Sequence, residues 1–167
     1  MRISSGGSEF VNILQTDTVT MRGHDKVTND GLAFSCYGYH AATSSNYSLV
    51  QLKNPSSSGK TILLDSLTWS STATSKVAIL AHDTDLTNDT FNGVNLKLGS
   101  ATGVAQIRTE ADTSIPGTYL FWLDGASGTN PTIEFAYPIE LGEGKGVITA
   151  TGAVNLLNNT VFKYREV

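Results

Sequence analysis

From Gly31 the chain alternates apolar and polar positions. Leu32, Phe34 and Cys36 fall on one face, and Ala33, Ser35, Tyr37 and Tyr39 on the other. That is the mark of a half-buried strand, because successive side chains point to opposite sides of a sheet. A turn over Ala41 to Asn46 separates this strand from a second over Tyr47 to Lys53. The run Asn54-Pro55-Ser56-Ser57-Ser58-Gly59 is a further turn cluster, leading into a third strand over Thr61 to Trp69. Lys76 to His82 predicts another strand, and the polar run Asp83 to Gly93 a loop. Val94 to Leu98 and Gly103 to Arg108 are shorter strand candidates. Thr118 to Leu123 (TYLFWL) is so apolar that it predicts a central strand, followed by a turn over Asp124 to Pro131. Alternation returns over Thr132 to Leu141, with Ile133, Phe135, Tyr137, Ile139 and Leu141 on one face and Pro138 marking an edge or bulge. Gly142 to Gly146 turns the chain into Val147 to Thr151, and Thr160 to Val167 closes it.

These segments amount to roughly eight strands at sandwich-like spacing, with no stretch of helical period. Strands without crossover helices exclude parallel architectures. The expectation is an all-β fold, an antiparallel β-sandwich with jelly roll as the preferred form over a barrel. Residues 1–29 read differently. Their apolar residues Ile3, Phe10, Val11, Ile13, Leu14 and Val19 are scattered without a clean period. This predicts an extended N-terminal arm over residues 1–29 and a β-sandwich domain over residues 30–167. Ile3, Phe10, Val11, Ile13 and Leu14 are the candidate partner-binding residues, and a short first strand over Phe10 to Leu14 is the other reading.

Composition agrees with short strands and turns. Charged residues make up 16% of the 167 positions, well below the usual quarter, and Ser, Thr, Asn and Gly fill the gap. The net charge of -4 gives no footprint for duplex nucleic acid, so no direct nucleic-acid partner is expected. Cys36 is the single cysteine, which rules out an intrachain disulfide and a thiolate cage and fits a small buried apolar side chain. Met1 to Glu9 holds no apolar core of signal-peptide length, and no run is long enough to span a bilayer. The expectation is a soluble chain made in the cytoplasm, with no membrane partner.

Few side chains group as chemistry requires. Ser58-Gly59-Lys60-Thr61 has the ending of a phosphate-binding loop, but Asn54 stands where its first glycine belongs and a strand follows instead of a helix, so it reads as a turn. His82, Asp83, Asp85, Asn88 and Asp89 crowd hard ligands into one loop without calcium-loop spacing, so a solvated loop is preferred to a calcium site. His24, His40 and His82 match no metal or catalytic spacing, and no elbow places a serine nucleophile. Asp112, Asp124, Glu134 and Glu140 are the carboxylates from which a glycosidase pair would have to come, and outward strand positions explain them as well. Trp69, Trp122, Tyr119 and Tyr137 are weighed as a sugar-stacking platform against core and subunit-interface roles. No catalytic residue, cofactor or metal is expected.

Two segments, Asn46 to Lys60 and Ile139 to Ile148 together with Phe162-Lys163-Tyr164-Arg165-Glu166, resemble a group of small bacteriophage virion proteins. The first matches their strand, Asn-Pro, small residues, Ser-Gly-Lys, strand element. The second matches their glycine turn and closing aromatic, x, aromatic, Arg-Glu strand, with Lys53 and Tyr164 at places where the group more often has Trp. The resemblance covers about two thirds of the chain. It implies a β-sandwich on the capsid or tail, often a trimer, acting as cement, decoration, spike or fibre, and no catalytic residues. The expected function is therefore a virion structural protein, a capsid decoration, cement or head-fibre protein. Its partner would be the major capsid protein or another virion protein. A receptor- or carbohydrate-binding module of a tail fibre or baseplate is the alternative.

Overall fold

The alternating segment after Gly31 forms β1 (Ala33–Ala41), and the chain closes with β11 (Leu157–Glu166) antiparallel beside it along its whole length. The computed structural model describes residues 30–125 and 129–167. Among these the other strands are β2 (Tyr47–Lys53), β3 (Ile62–Ser70), β4 (Ser75–Ala81), β5 (Asn88–Asn92), β6 (Val94–Asn95), β7 (Gln106–Asp112), β8 (Thr118–Gly125), β9 (Thr132–Leu141) and β10 (Gly146–Thr151), with no helix. They build two antiparallel sheets, β6-β1-β11-β3-β9 and β5-β7-β2-β10-β4-β8. With β5, β6 and β7 set aside, the strand orders are β1-β11-β3-β9 and β2-β10-β4-β8. The chain crosses between the sheets at almost every connection. The expected all-β antiparallel sandwich is the fold; the expected arm, with Ile3, Phe10, Val11, Ile13 and Leu14, lies outside the described residues.

One core lies between the sheets. Phe34 and Cys36 of β1, Leu64, Leu67 and Trp69 of β3 and Phe162 and Tyr164 of β11 meet Val50 and Leu52 of β2, Val77 and Ile79 of β4 and Val147 of β10. Cys36 is buried, as expected of a small apolar side chain, and burial pushes its thiol far above its ordinary range. A second cluster, Leu49, Ala78, Leu80, Ile148 and Ala150, occupies the outer face of the six-stranded sheet beneath Leu86. The middle of that sheet is thus buried on both faces, which explains its unbroken apolar runs. Gln51 fastens the cover. Its Nε2 donates to the carbonyls of His82 and Thr84, both at 2.9 Å, and its Oε1 accepts from the Leu86 amide at 3.1 Å.

Several expectations need correction. Thr118 to Leu123 belongs to β8, which is an edge strand and not a central one. Its inward residues Phe121 and Leu123 reach the core, while Tyr119, Leu120 and Trp122 are exposed. The run Asp83 to Gly93 is not all loop, because Asn88–Asn92 pairs with β7 as β5. Val94 to Leu98 shrinks to the two-residue β6, and the strand expected at Gly103 to Arg108 lies instead at Gln106–Asp112. The last strand begins at Leu157 rather than Thr160. In β9, Ile133, Phe135, Ile139 and Leu141 turn inward, but Tyr137 is 89% exposed. The pairing of β9 with β3 loses register between Ile139 and Glu134, so Pro138 sits at the irregularity of an edge strand, as anticipated.

Candidate binding surface

The two segments that carry the virion resemblance meet in space, and their residues hold the fold. Asn54 donates its amide to the Lys145 carbonyl at 2.9 Å and its side-chain Nδ2 to the carbonyls of Lys60 and Leu141. The Gly59 amide donates to Glu143 Oε1 at 2.7 Å. Ser57 and Gly59 both adopt positive φ, so Ser58-Gly59-Lys60-Thr61 is the turn expected and leads into β3. In the closing strand Phe162 and Tyr164 fill the core and Arg165 forms a two-pronged pair with Asp65 at 2.7 and 2.9 Å. Glu166, buried, accepts the amides of Val104 and Ala105 at 2.7 and 3.1 Å. Asn54, Glu143, Phe162, Tyr164, Arg165 and Glu166 of these motifs thus have structural tasks.

The acidic run at the start of the Leu86 cover is engaged by cations of the same chain. Buried Lys53 reaches Asp85 at 3.2 Å and donates to the carbonyls of Asp83 and Gly144. Arg108 reaches Asp85 from the other side at 3.2 Å, and Lys145 pairs with Asp83 at 2.7 Å. The Lys145 bond holds the Asp83 carboxyl below its ordinary range, and burial, with Lys53 next, lowers the proton affinity of His82. Among the described residues no three His, Cys, Asp or Glu side chains gather as a metal-holding group. The four weighed carboxylates are spread out. Asp112 ends β7, where it accepts the Ser114 amide; Asp124 on β8 is paired with Lys76; Glu134 and Glu140 face outward on β9. Asp112 and Asp124 stand on strands separated by β2, β10 and β4.

Apart from Tyr37 and Tyr39 on the outward face of β1 and Val167 after β11, the large exposed apolar side chains among the described residues collect at the two narrow sides of the sandwich. On one side, where β5 and β6 are the sheet edges, Phe91, Val94, Leu96 and Leu98 are all about half exposed or more. This is also where the described residues begin. The Gly31 carbonyl accepts from Asn95 Nδ2 at 2.8 Å, and the Leu96 amide donates to the Ala33 carbonyl at 2.9 Å. Among the described residues β6 pairs only with Phe34 and Ser35 on this edge, and no other described strand pairs with the rest of it. On the opposite side β8 and β9 are the edges and present Tyr119, Leu120, Trp122 and Tyr137. Of the four aromatic residues weighed as a platform, Trp69 is excluded by its burial in the core, while Tyr119 and Trp122 stack on one another with centroids 5.2 Å apart. The apolar rim at Phe91 to Leu98 was missed in the sequence, where its residues are diluted by Asn, Lys and Gly.

No family model matches the chain, and neither a curated protein nor a solved structure matches it.

Proposed function

We propose that the chain is a bacteriophage virion structural protein that binds the outside of the particle as a capsid decoration, cement or head-fibre protein. The observation that carries the reading is the exposed rim of Phe91, Val94, Leu96 and Leu98, set beside the part of the β1 edge that no described strand covers and close to Gly31. Large exposed apolar side chains gathered at one side of a domain are a mark of a protein interaction site. An open strand edge binds a neighbour's backbone without needing a particular side chain. The strand orders β1-β11-β3-β9 and β2-β10-β4-β8 support the jelly roll as the finer form of the sandwich.

In this reading residues 1–29 anchor the protein to the major capsid protein or another virion protein through Ile3, Phe10, Val11, Ile13 and Leu14, and the sandwich is the outward body. A homotrimer multiplies weak contacts, since each contact made raises the effective concentration for the next. Binding of the full-length protein and of a chain lacking residues 1–29 to isolated particles, compared by co-sedimentation, tests it. Occupancy is expected to fall to background without the arm; full occupancy retained would overturn the anchoring role.

A further inference from the structure

Tyr119 and Trp122 are three residues apart, and in a regular strand such residues face opposite sides. Here the pairing of β8 with β4 skips a residue. Phe121 pairs with Ile79 and Tyr119 with Leu80, so Leu120 is the extra residue of a bulge. The bulge returns both aromatic rings to the outer face. Ala78 and Leu80, the partners of Trp122 and Tyr119, lie together in the outer apolar cluster. The rings stack at 22° and remain 49% and 46% exposed. Bulges are commonly placed where a side chain must be re-aimed.

Beside Trp122 lies a depression of about 500 Å³ lined by Thr74, Ser75, Lys76, Gly152 and Ala153, within the roughly 300–1,000 Å³ of small-ligand sites. Its rim is kept low at Gly152, whose amide donates to the Lys76 carbonyl at 2.6 Å; a Cβ there would stand 2.8 Å from that oxygen. Lys76 and its cross-strand partner Asp124 place an ammonium and a carboxylate 3.6 Å apart on the Trp122 side of the platform, both mostly exposed.

We propose that this is a glycan-binding site, in which the apolar C–H face of a neutral sugar ring stacks on Trp122 and Tyr119 while its hydroxyls bond to Lys76, Asp124 and Ser75. The electron-rich face of an aromatic ring attracts the electron-poor C–H groups of a pyranose. A sugar's hydroxyls both donate and accept, matching a paired ammonium and carboxylate. A nucleotide or other phosphate ligand does not fit, because the one lysine is neutralised by Asp124 and the chain carries a net charge of -4. The site does not depend on the chain sitting on a particle.

The chain's two tryptophans make the test direct. Trp69 is buried, so acrylamide quenching reads Trp122. The full-length protein is titrated with cellohexaose, maltohexaose, chitohexaose and mannohexaose. At least one is expected to protect Trp122 from quenching at constant protein concentration. By calorimetry Trp122→Ala and Tyr119→Ala should each weaken that binding about tenfold or more, and Lys76→Met less. Both aromatic residues are half exposed, and unchanged thermal unfolding of Trp122→Phe and Lys76→Met controls for folding. Protection by none of the four sugars would overturn the proposal. So would affinity unchanged in Trp122→Ala, or protection of Trp122 that follows protein concentration with no sugar present.

Discussion

The indole N–H of Trp69 donates to Oδ1 of Asn158 at 3.1 Å in the middle of the sandwich. Asn158 then ties the two sheets together. Its Nδ2 donates to the carbonyls of Ser48 and Thr149 at 3.0 and 2.9 Å, and its Oδ1 also accepts from the Thr160 hydroxyl at 2.9 Å. All are buried. A fully satisfied buried network fixes the register of the sheets it joins. Asn158→Ala leaves the Trp69 N–H without its partner and is expected to cost about 3 kcal/mol, read as a lowered urea midpoint with the slope unchanged.

Glu166 and Arg165 are neighbours with unequal importance. Glu166 is buried and takes two loop amides, whereas the Arg165 pair with Asp65 is part-exposed. Glu166→Ala should destabilise by about 2–3 kcal/mol because two buried N–H groups lose their acceptor. A double-mutant cycle on Arg165 and Asp65 should return no more than about 1 kcal/mol. Chemical denaturation of the variants measures both.

Gly93 lies against the ring and hydroxyl of buried Tyr164, which itself stacks on Phe34 at 5.6 Å. A methyl group at 93 would overlap that hydroxyl, so Gly93→Ala must displace Tyr164 or move the β5–β6 crossing. The expected loss is about 1–3 kcal/mol. Gly59→Ala, with open space around it but a positive φ, should lose less, about 1 kcal/mol. Thermal unfolding of the two variants side by side tests the ranking.

Acid should weaken the fold in two stages. His82 binds a proton less readily folded than unfolded, through burial and the nearby Lys53, so its contribution is complete above about pH 6.5 and declines as the pH drops toward the folded value. Asp83 is held low by Lys145, so its smaller, solvent-screened contribution is present above about pH 4 and is lost below it. The His82→Gln variant should therefore show a flatter loss of stability between about pH 7.5 and 5.5, measured as urea midpoints.

Where one face of a strand meets solvent, the sequence alternates and the strand was legible, as in β1 and most of β9. Where both faces are buried, as in β4 and β10, the apolar run marks a strand without revealing its faces. The same ambiguity made β8 read as central. Its outward Tyr119 and Trp122 are as apolar as core residues, and the Leu120 bulge breaks the alternation that would have marked an edge. Asn88 and Asn92 hid β5, and Asn158 and Asn159 hid the start of β11, because Asn disfavours strands locally; at Asn158 the buried bonds to both sheets outweigh that preference. The turns at Asn54 to Gly59 and Gly142 to Gly146 were legible from Pro, Gly and Ser. Their contact with one another was not, since it depends on β2 and β10 lying side by side.

The place we propose for the protein is the outside of a virus particle, and a cryo-electron microscopy reconstruction of phage particles assembled with the protein measures it. Outward density fitting the two-sheet sandwich is expected at symmetry-related positions, with the Phe91, Val94, Leu96 and Leu98 rim and the Asp30 end of the domain turned toward the shell. A well-resolved particle surface without that density, or with the sandwich attached by the opposite β8 and β9 side, would contradict it.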